Sequence, residues 1–219
     1  MIDLWLTQKK IRKWCADNNI FYLKADILIP ETVYQEVQNI YAAKLFTQHR
    51  SSDSRGWASA TLHGEAYNIT TYDSENKNYH WTTLTELAPT MTEWLKNIFP
   101  NNGKYSRCRF MLLEPGGYIK KHTDTHQYKA GDQLKNEICS AINIAINQPE
   151  NCYLRRYDDK LEVPFKEREV YWFNNGPFHE AGNFSKVPRF HFIIHGGTNI
   201  DRVKLFIKSF KKEYPDIVI

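Results

Sequence analysis

The amino-acid sequence predicts an α+β fold with a mainly β core: a two-layer antiparallel barrel or jelly roll in which helices buttress one sheet. Three features predict it. In the N-terminal half apolar residues recur with a period near 3.6, so helices gather there. From Lys104 the period becomes 2, and many short strands follow one another. The clearest strand, Ile138 to Asn147, carries Ile138, Ser140, Ile142, Ile144 and Ile146 on one face and Cys139, Ala141, Asn143, Ala145 and Asn147 on the other. The greasy face suits packing on helices, and the small, slightly polar face suits the lining of a cavity.

In chain order, Gln8 to Asn19 reads as a helix with Ile11, Trp14 and Cys15 on one side, and Phe21 to Ile29 as a strand. Pro30 opens a second helix that runs to about Phe46, with Val33, Val37, Ile40, Tyr41 and Leu45 as its apolar stripe. Gln48 to Arg55 is a polar loop, Gly56 to Gly64 a strand, and Tyr67 to Tyr79 a long surface loop. A helix from Pro89 to Phe99 buries Trp94, Leu95 and Ile98, and Pro100-Asn101-Asn102-Gly103 stops it. Arg107, Arg109 and Met111 then alternate with Cys108, Phe110 and Leu112. The stretch Leu112 to Asp124 reads as a strand end, a Pro115-Gly116-Gly117 turn and a short strand. Further strands are Cys152 to Tyr157, Leu161 to Val163, Val170 to Asn174 and Arg189 to His195, with Asp158-Asp159-Lys160 joining the first two. A helix from Ile200 to Tyr214, apolar along Val203, Phe206, Ile207 and Phe210, closes the chain before Pro215. The expectation is one domain, 1–219: a buttress and lead-in strands over 1–103, a β core over 104–197 and a terminal helix over 198–219.

The 219 residues are 42% hydrophobic, enough for one sizeable core. The net charge of +4 is mild, and no basic-aromatic stripe is evident, which disfavours a nucleic-acid partner. The basic runs Lys9–Lys13 and Arg202–Lys212 read as solvated helix faces. Cys15, Cys108, Cys139 and Cys152 show no metal or disulfide spacing and read as reduced thiols, with Cys108 and Cys139 packed in strands. The start, Met1 to Leu6, is too short and too acidic for a signal peptide, and no apolar run is long enough to span a membrane. A cytoplasmic protein with no membrane partner is expected.

The chemistry centres on His122 and Asp124. Two residues apart in a strand, they point to the same side and can present an imidazole nitrogen and a carboxylate oxygen to one point. Two histidines and one carboxylate form the facial triad that holds ferrous iron with open positions. His179, after the strand and turn Trp172 to Phe178, is the best third ligand. A His-x-Asp pair alone is a weak signal, since eight histidines give roughly half a chance match in such a chain. His126 follows His122 by four and mimics a helical zinc pair, but Gly116-Gly117 and the alternation argue for a strand and no glutamate follows His122. In Arg189 to His195, Phe190, Phe192 and Ile194 take the outer face, so Arg189, His191 and Ile193 share the inner one. An inward arginine on an apolar strand is costly unless an anion pairs with it. His191, Arg109 and Trp172 are further candidates for the pocket or the substrate; Arg107 and Arg109 either line the cavity or face solvent.

His122-x-Asp124, the distal His179 and Arg189 ten residues beyond it resemble the signature of Fe(II)/2-oxoglutarate-dependent oxygenases with a double-stranded β-helix fold. More narrowly, Leu113-Glu114-Pro115-Gly116-Gly117, Phe173-Asn174-Asn175-Gly176-Pro177-Phe178-His179-Glu180 and the approach from Asn183 to Arg189 resemble the aspartyl/asparaginyl β-hydroxylase-like family. Gly56-Trp57 with Leu62-His63-Gly64 resembles the lead-in of bacterial and phage members, which implies a bacterial or phage-infected cell. The resemblance covers residues 56 to 197 and leaves 1 to 55 without a counterpart. It implies that His122, Asp124 and His179 hold Fe(II), that Arg189 binds the distal carboxylate of 2-oxoglutarate, and that Asn143 lies near that cosubstrate. It implies a dioxygenase that uses O2 to hydroxylate an amino-acid side chain, free or in a protein or peptide. Two alternatives stay open: a cupin-like barrel that binds a metal or small ligand without turnover, and an oxygenase acting on nucleic acid.

Overall fold

In the computed structural model the described residues are 3–49, 54–69, 79–98, 106–124, 141–196 and 199–219. His126, Cys139, the stop at 100–103, most of the expected loop 67–79 and the start of the expected strand 138–147 lie outside them.

Helix α1 (Leu4–Asp17) begins earlier than its apolar periodicity suggests, because the Asp3 carboxylate accepts from the Trp5 and Leu6 backbone N–H groups at 3.0 and 3.1 Å. Strand β1 (Tyr22–Leu28) and helix α2 (Val33–Ala42) follow. Helix α2 stops at Ala42, short of Phe46. Lys44 adopts φ +57 and the Leu45 N–H turns back to the Ile40 carbonyl, a left-handed C-terminal cap. The freed segment forms strand β2 (Thr47–Gln48), which pairs with β3 (Ser54–Gly64). Strand β4 (His80–Trp81) and a 3₁₀ turn (Thr83–Glu86) are too short to leave a periodic signal in the sequence. Helix α3 (Pro89–Ile98) turns Met91 and Leu95 fully inward, with Trp94 and Ile98 at the margin. Its first N–H groups, on Thr90 and Met91, donate to the buried Glu36 carboxylate of α2.

Strands β5 (Ser106–His122), β6 (Ile142–Ala145), β7 (Cys152–Arg156), β8 (Glu169–Phe173), β9 (His179–Asn183) and β10 (Arg189–Gly196) complete an antiparallel jelly roll. One layer runs β1-β8-β6-β10-β5-β3-β2; the other is built from the end of β5 with β9 and β7. Helix α4 (Ile200–Glu213) packs with α1 over β1 on the outer side of the large layer. The expected α+β fold is present, a double-stranded β-helix with helices on one sheet.

Register assigns the faces. Cys108, Ile194, Ile142 and Trp172 stand opposite one another in successive strands, so all four point the same way, into the core beneath the helices. Trp172 is therefore not a pocket residue, contrary to its reading as a candidate. It meets Phe206 of α4 edge to face, with centroids 5.2 Å apart. Arg202 corrects a second reading: it is buried, whereas the lysines along α4 are exposed. The opposite row, Arg109, Ile193, Asn143 and Tyr171, faces the space between the layers. Ala141, Leu154, Phe173 and Ala181 belong to a second apolar cluster. Cys15, Cys108 and Cys152 are free thiols, and burial pushes Cys15 up to about 12.

The Pro115-Gly116-Gly117 segment bends a continuous strand where the sequence suggested a turn. Gly116 at φ +71 and Gly56 at φ +63 on the neighbouring β3 shift the register, and β5 passes from one layer to the other. A turn would reverse the chain; this bend carries it on to His122. Tyr41 donates to Glu114 at 3.1 Å and Asn183 donates to the Leu113 carbonyl at 2.7 Å, which pins both sides of the bend. A Cβ on Gly117 would lie 2.7 Å from the Glu114 carbonyl oxygen and 2.9 Å from that of Arg55. Gly117→Ala is expected to destabilise the fold by about 1–3 kcal/mol; an unchanged melting temperature would show that the bend relaxes freely.

Candidate active site

The bend places the end of β5 against the start of β9, where His122 and His179 form a cross-strand pair with ring centroids 4.2 Å apart. Asp124 follows two residues after His122. Ligand atoms of these three side chains lie within 4.8 Å of one another. The centre of three points no farther apart than that is at most about 2.8 Å from each, within a small side-chain adjustment of metal–ligand lengths of roughly 2.0–2.2 Å.

The surrounding hydrogen bonds select the coordinating atoms. His122 Nδ1 lies 2.8 Å from the Lys120 carbonyl, and His179 Nδ1 lies 2.9 Å from the Pro177 carbonyl. A carbonyl only accepts, so each Nδ1 carries the proton and each Nε2 keeps its lone pair for a metal. Asp124 Oδ2 accepts from the Asn175 amide at 3.0 Å, and the Asp124 N–H donates to the Asn175 carbonyl at 3.2 Å. The free oxygen, Oδ1, sits 3.9 Å from His122 Nε2. Burial would raise the Asp124 carboxyl, but the imidazoles of His179, His122 and His195 and the Asn175 bond carry it below the usual carboxylate value. Burial, then His122, holds His179 below its ordinary value. The trio thus offers one carboxylate oxygen and two imidazole Nε2 atoms, the donor set for a divalent cation.

The triad opens into a cavity of about 320 Å³ between the layers. Arg189, His191 and Asn143 are among its lining residues. Arg189 donates through Nε to Gln148 Oε1 at 3.2 Å and lies 5.7 Å over the Phe165 ring. His191 Nε2 lies 3.1 Å from the same Gln148 oxygen, and its Nδ1 lies 2.7 Å from Asn143 Oδ1. Gln148 is itself anchored by donation to the Cys152 carbonyl at 2.8 Å. Burial lowers Arg189 to about 10, so it remains a guanidinium at neutral pH. Burial and then Arg189 hold His191 far below its ordinary value, so it is neutral. The result is a cation among neutral groups, shaped to receive an anion.

Arg109, Met111, His195, His49 and Trp57 line the same cavity, with Met111 opposite His191 across the β5–β10 pair. Arg109 is buried and inward, which resolves the choice between cavity and solvent. His49 stacks on Trp57 at 3.6 Å and 17°. The sequence thus marks His122, Asp124, His179, Arg189, Asn143, His191 and Arg109, and the structure brings all seven to one cavity; it excludes Trp172. Gln148, Asn175, His49 and Trp57 were not singled out as site residues. Asn175 and Trp57 stand inside the motifs that carry the family resemblance, whereas Gln148 and His49 fall in stretches without periodicity.

A family model described as Aspartyl/Asparaginyl beta-hydroxylase matches residues 30–196, beginning well before the Gly56 lead-in. Among solved structures, the chain is similar to a Trichoplax adhaerens prolyl hydroxylase in complex with a hypoxia inducible factor oxygen degradation domain peptide fragment. That likeness has a TM-score of 0.51 and 13% identity, and covers 93% of this chain and 97% of that one. A Pseudomonas putida prolyl-4-hydroxylase gives 0.48 and 15%, covering 85% and 96%. An oxidoreductase of the 2OG-Fe(II) oxygenase family from Burkholderia pseudomallei gives 0.49 and 11%, covering 88% and 93%. No curated protein sequence matches.

Proposed function

The chain belongs to the aspartyl/asparaginyl β-hydroxylase family, and on that premise we propose that it hydroxylates an amino-acid side chain, free or within a peptide, while 2-oxoglutarate is decarboxylated to succinate and CO2. The cofactors of such an enzyme are Fe(II), 2-oxoglutarate and O2. The observation that carries the reading is a His-Asp-His cluster and a buried guanidinium in one cavity.

The residues fit the metal: two imidazole lone pairs and one carboxylate oxygen converge, and the two Nδ1–H groups are already committed to carbonyls. When bound, Fe(II) with O2 and the 2-oxo acid supplies the oxidising power that converts an unactivated C–H to C–OH. In sum, one C–H, one O2 and one 2-oxoglutarate give one C–OH, one succinate and one CO2.

The protein does the rest. His122, Asp124 and His179 would hold the cation. Arg189 receives the distal carboxylate of 2-oxoglutarate as a charge-assisted pair, and Gln148 aims it. Asn143 and His191 supply neutral polar contacts beside it. Leu154, Phe173 and Ala181 give the cavity an apolar wall that disfavours water.

The test is succinate formation from 2-oxoglutarate with Fe(II) and ascorbate, with and without amino acids, peptides and cell extract. A mass gain of one oxygen atom on a product establishes hydroxylation. Protein that binds iron and 2-oxoglutarate yet forms no succinate under any of these conditions is a binding barrel instead. Gln148→Ala removes the hydrogen bond that aims Arg189, and 2-oxoglutarate affinity is expected to fall about tenfold, by calorimetry. An unchanged affinity would show that Arg189 is positioned without it.

A further inference from the structure

The hydrogen bonds on Arg189 leave the plane of its guanidinium loosely set. Its Nε donates to Gln148 Oε1 at 3.2 Å, the long limit for such a bond, and the His191 contact at 3.5 Å lies beyond it. A third neighbour completes the hold. The guanidinium carbon lies 5.7 Å from the centroid of the Phe165 ring, within the reach of about 6 Å over which an aromatic face attracts a cation. The same ring meets His191 nearly at right angles, with centroids 4.7 Å apart. Arg189 and His191 line the cavity, whereas Phe165 stands outside its lining. One ring therefore backs both side chains.

The ring is itself firmly placed. Phe165 is buried in the segment between β7 and β8 and belongs to the second apolar cluster. Tyr171 meets it edge to face at 5.1 Å and 81°. The Phe165 N–H donates to the Val163 carbonyl at 2.8 Å, and the Val163 N–H donates to the Leu154 carbonyl of β7 at 2.9 Å. The Tyr171 hydroxyl lies 3.0 Å from the Pro164 carbonyl and 2.6 Å from a Glu169 carboxylate oxygen, which ties the segment to β8. A neutral ring has one property that a carboxylate in its place would lack: it holds the cation without cancelling its charge. The guanidinium stays free to pair with an incoming carboxylate.

We propose that Phe165 is a positioning residue for the cosubstrate: by holding the Arg189 guanidinium from behind, it sets the length of the 2-oxo diacid that spans from Arg189 to the triad. The inference rests on the oxygenase reading above. A diacid held at both ends is selected by its length, because one further carbon–carbon bond adds a link of about 1.5 Å between two fixed anchors. A pocket of fixed length separates ligands that differ by one methylene by about 10–200-fold. Leucine in place of the ring removes the attraction to the cation and opens space behind it. The guanidinium can then retreat, and a longer diacid fits.

The test is a calorimetric titration of the whole chain, loaded with Fe(II) in the absence of O2 so that no turnover occurs. The two probes are 2-oxoglutarate and 2-oxoadipate, its homologue longer by one methylene. Wild type is expected to bind 2-oxoglutarate at least about tenfold tighter than 2-oxoadipate. Phe165→Leu is expected to weaken 2-oxoglutarate by about 3- to 10-fold and to leave 2-oxoadipate unchanged or tighter, so that the margin narrows. A merely structural role would lower both acids alike and leave the margin where it was. Equal binding of the two acids by wild type, or an unchanged margin in folded Phe165→Leu, overturns the proposal. If the leucine variant does not melt cooperatively, Phe165→Met carries the same comparison, and the wild-type margin can overturn the proposal without any variant. Failure of 2-oxoglutarate to bind wild type sinks the oxygenase reading, whereas 2-oxoglutarate binding with no margin, or with a margin that ignores Phe165, sinks this inference alone.

Discussion

Arg189→Ala is expected to weaken 2-oxoglutarate binding by about 2–5 kcal/mol, the range for removing one member of a buried charge pair. The guanidinium is buried in the cavity wall, and its hydrogen-bond partners among the described residues are the Gln148 amide oxygen and the edge of His191, both neutral. Burial, offset in part by Cys152, lowers its pKa to about 10, in keeping with a ligand-free site that solvates a cation poorly. A dicarboxylate supplies the missing charge. Alanine therefore leaves a buried carboxylate with no cation, and calorimetry or the KM for 2-oxoglutarate reads the loss. A second measurement separates this role from a structural one. Arg189→Met keeps the apolar bulk and removes the buried charge, so the ligand-free protein is expected to melt no lower than wild type, while the stabilisation conferred by 2-oxoglutarate disappears. A ligand-free melting temperature well below wild type would mean that Arg189 serves the fold, and another residue would then be the anchor.

The readable part of this site is the part that strand parity governs. His122 and Asp124 share a side because they are two apart, and Arg189 must face inward because Phe190, Phe192 and Ile194 demand the other face. The cross-strand pairing of His122 with His179 is another matter. It depends on how far the bend at Gly116 and Gly117 displaces β5, a register that no spacing in the chain encodes. Trp172 shows where parity fails. Both faces of β8 are apolar, Val170 and Trp172 against Tyr171 and Phe173, so alternation carries no sign until the pairing with Ile142 supplies it. Gln148 lies just past the last alternating residue of its strand, and His49 lies in a polar stretch that reads as a loop. Their roles come from tertiary contacts with residues far along the chain.

Replacing either triad histidine removes one of three ligands, and iron affinity is expected to fall by more than about 100-fold, beyond the 10–100-fold typical of an outer-shell change. The geometry makes the two histidines equivalent in kind. Each is held through Nδ1 by a carbonyl two residues earlier, Lys120 for His122 and Pro177 for His179, so each delivers Nε2 from a fixed ring. His122→Ala or His179→Ala leaves one imidazole and one carboxylate, too few to fill one side of the cation. Asn175 provides the graded comparison. It touches no metal position, but its amide and carbonyl hold the Asp124 side chain and backbone. Asn175→Ala should therefore lower iron affinity by about 10–100-fold while the fold persists, giving the order wild type, Asn175→Ala, then the histidine variants. Metal analysis after dialysis reads all three. Full iron stoichiometry in both histidine variants would refute the centre outright. An Asn175 variant as poor as the histidine variants would instead mean that the Asn174–Pro177 turn, rather than the ligands themselves, builds the site.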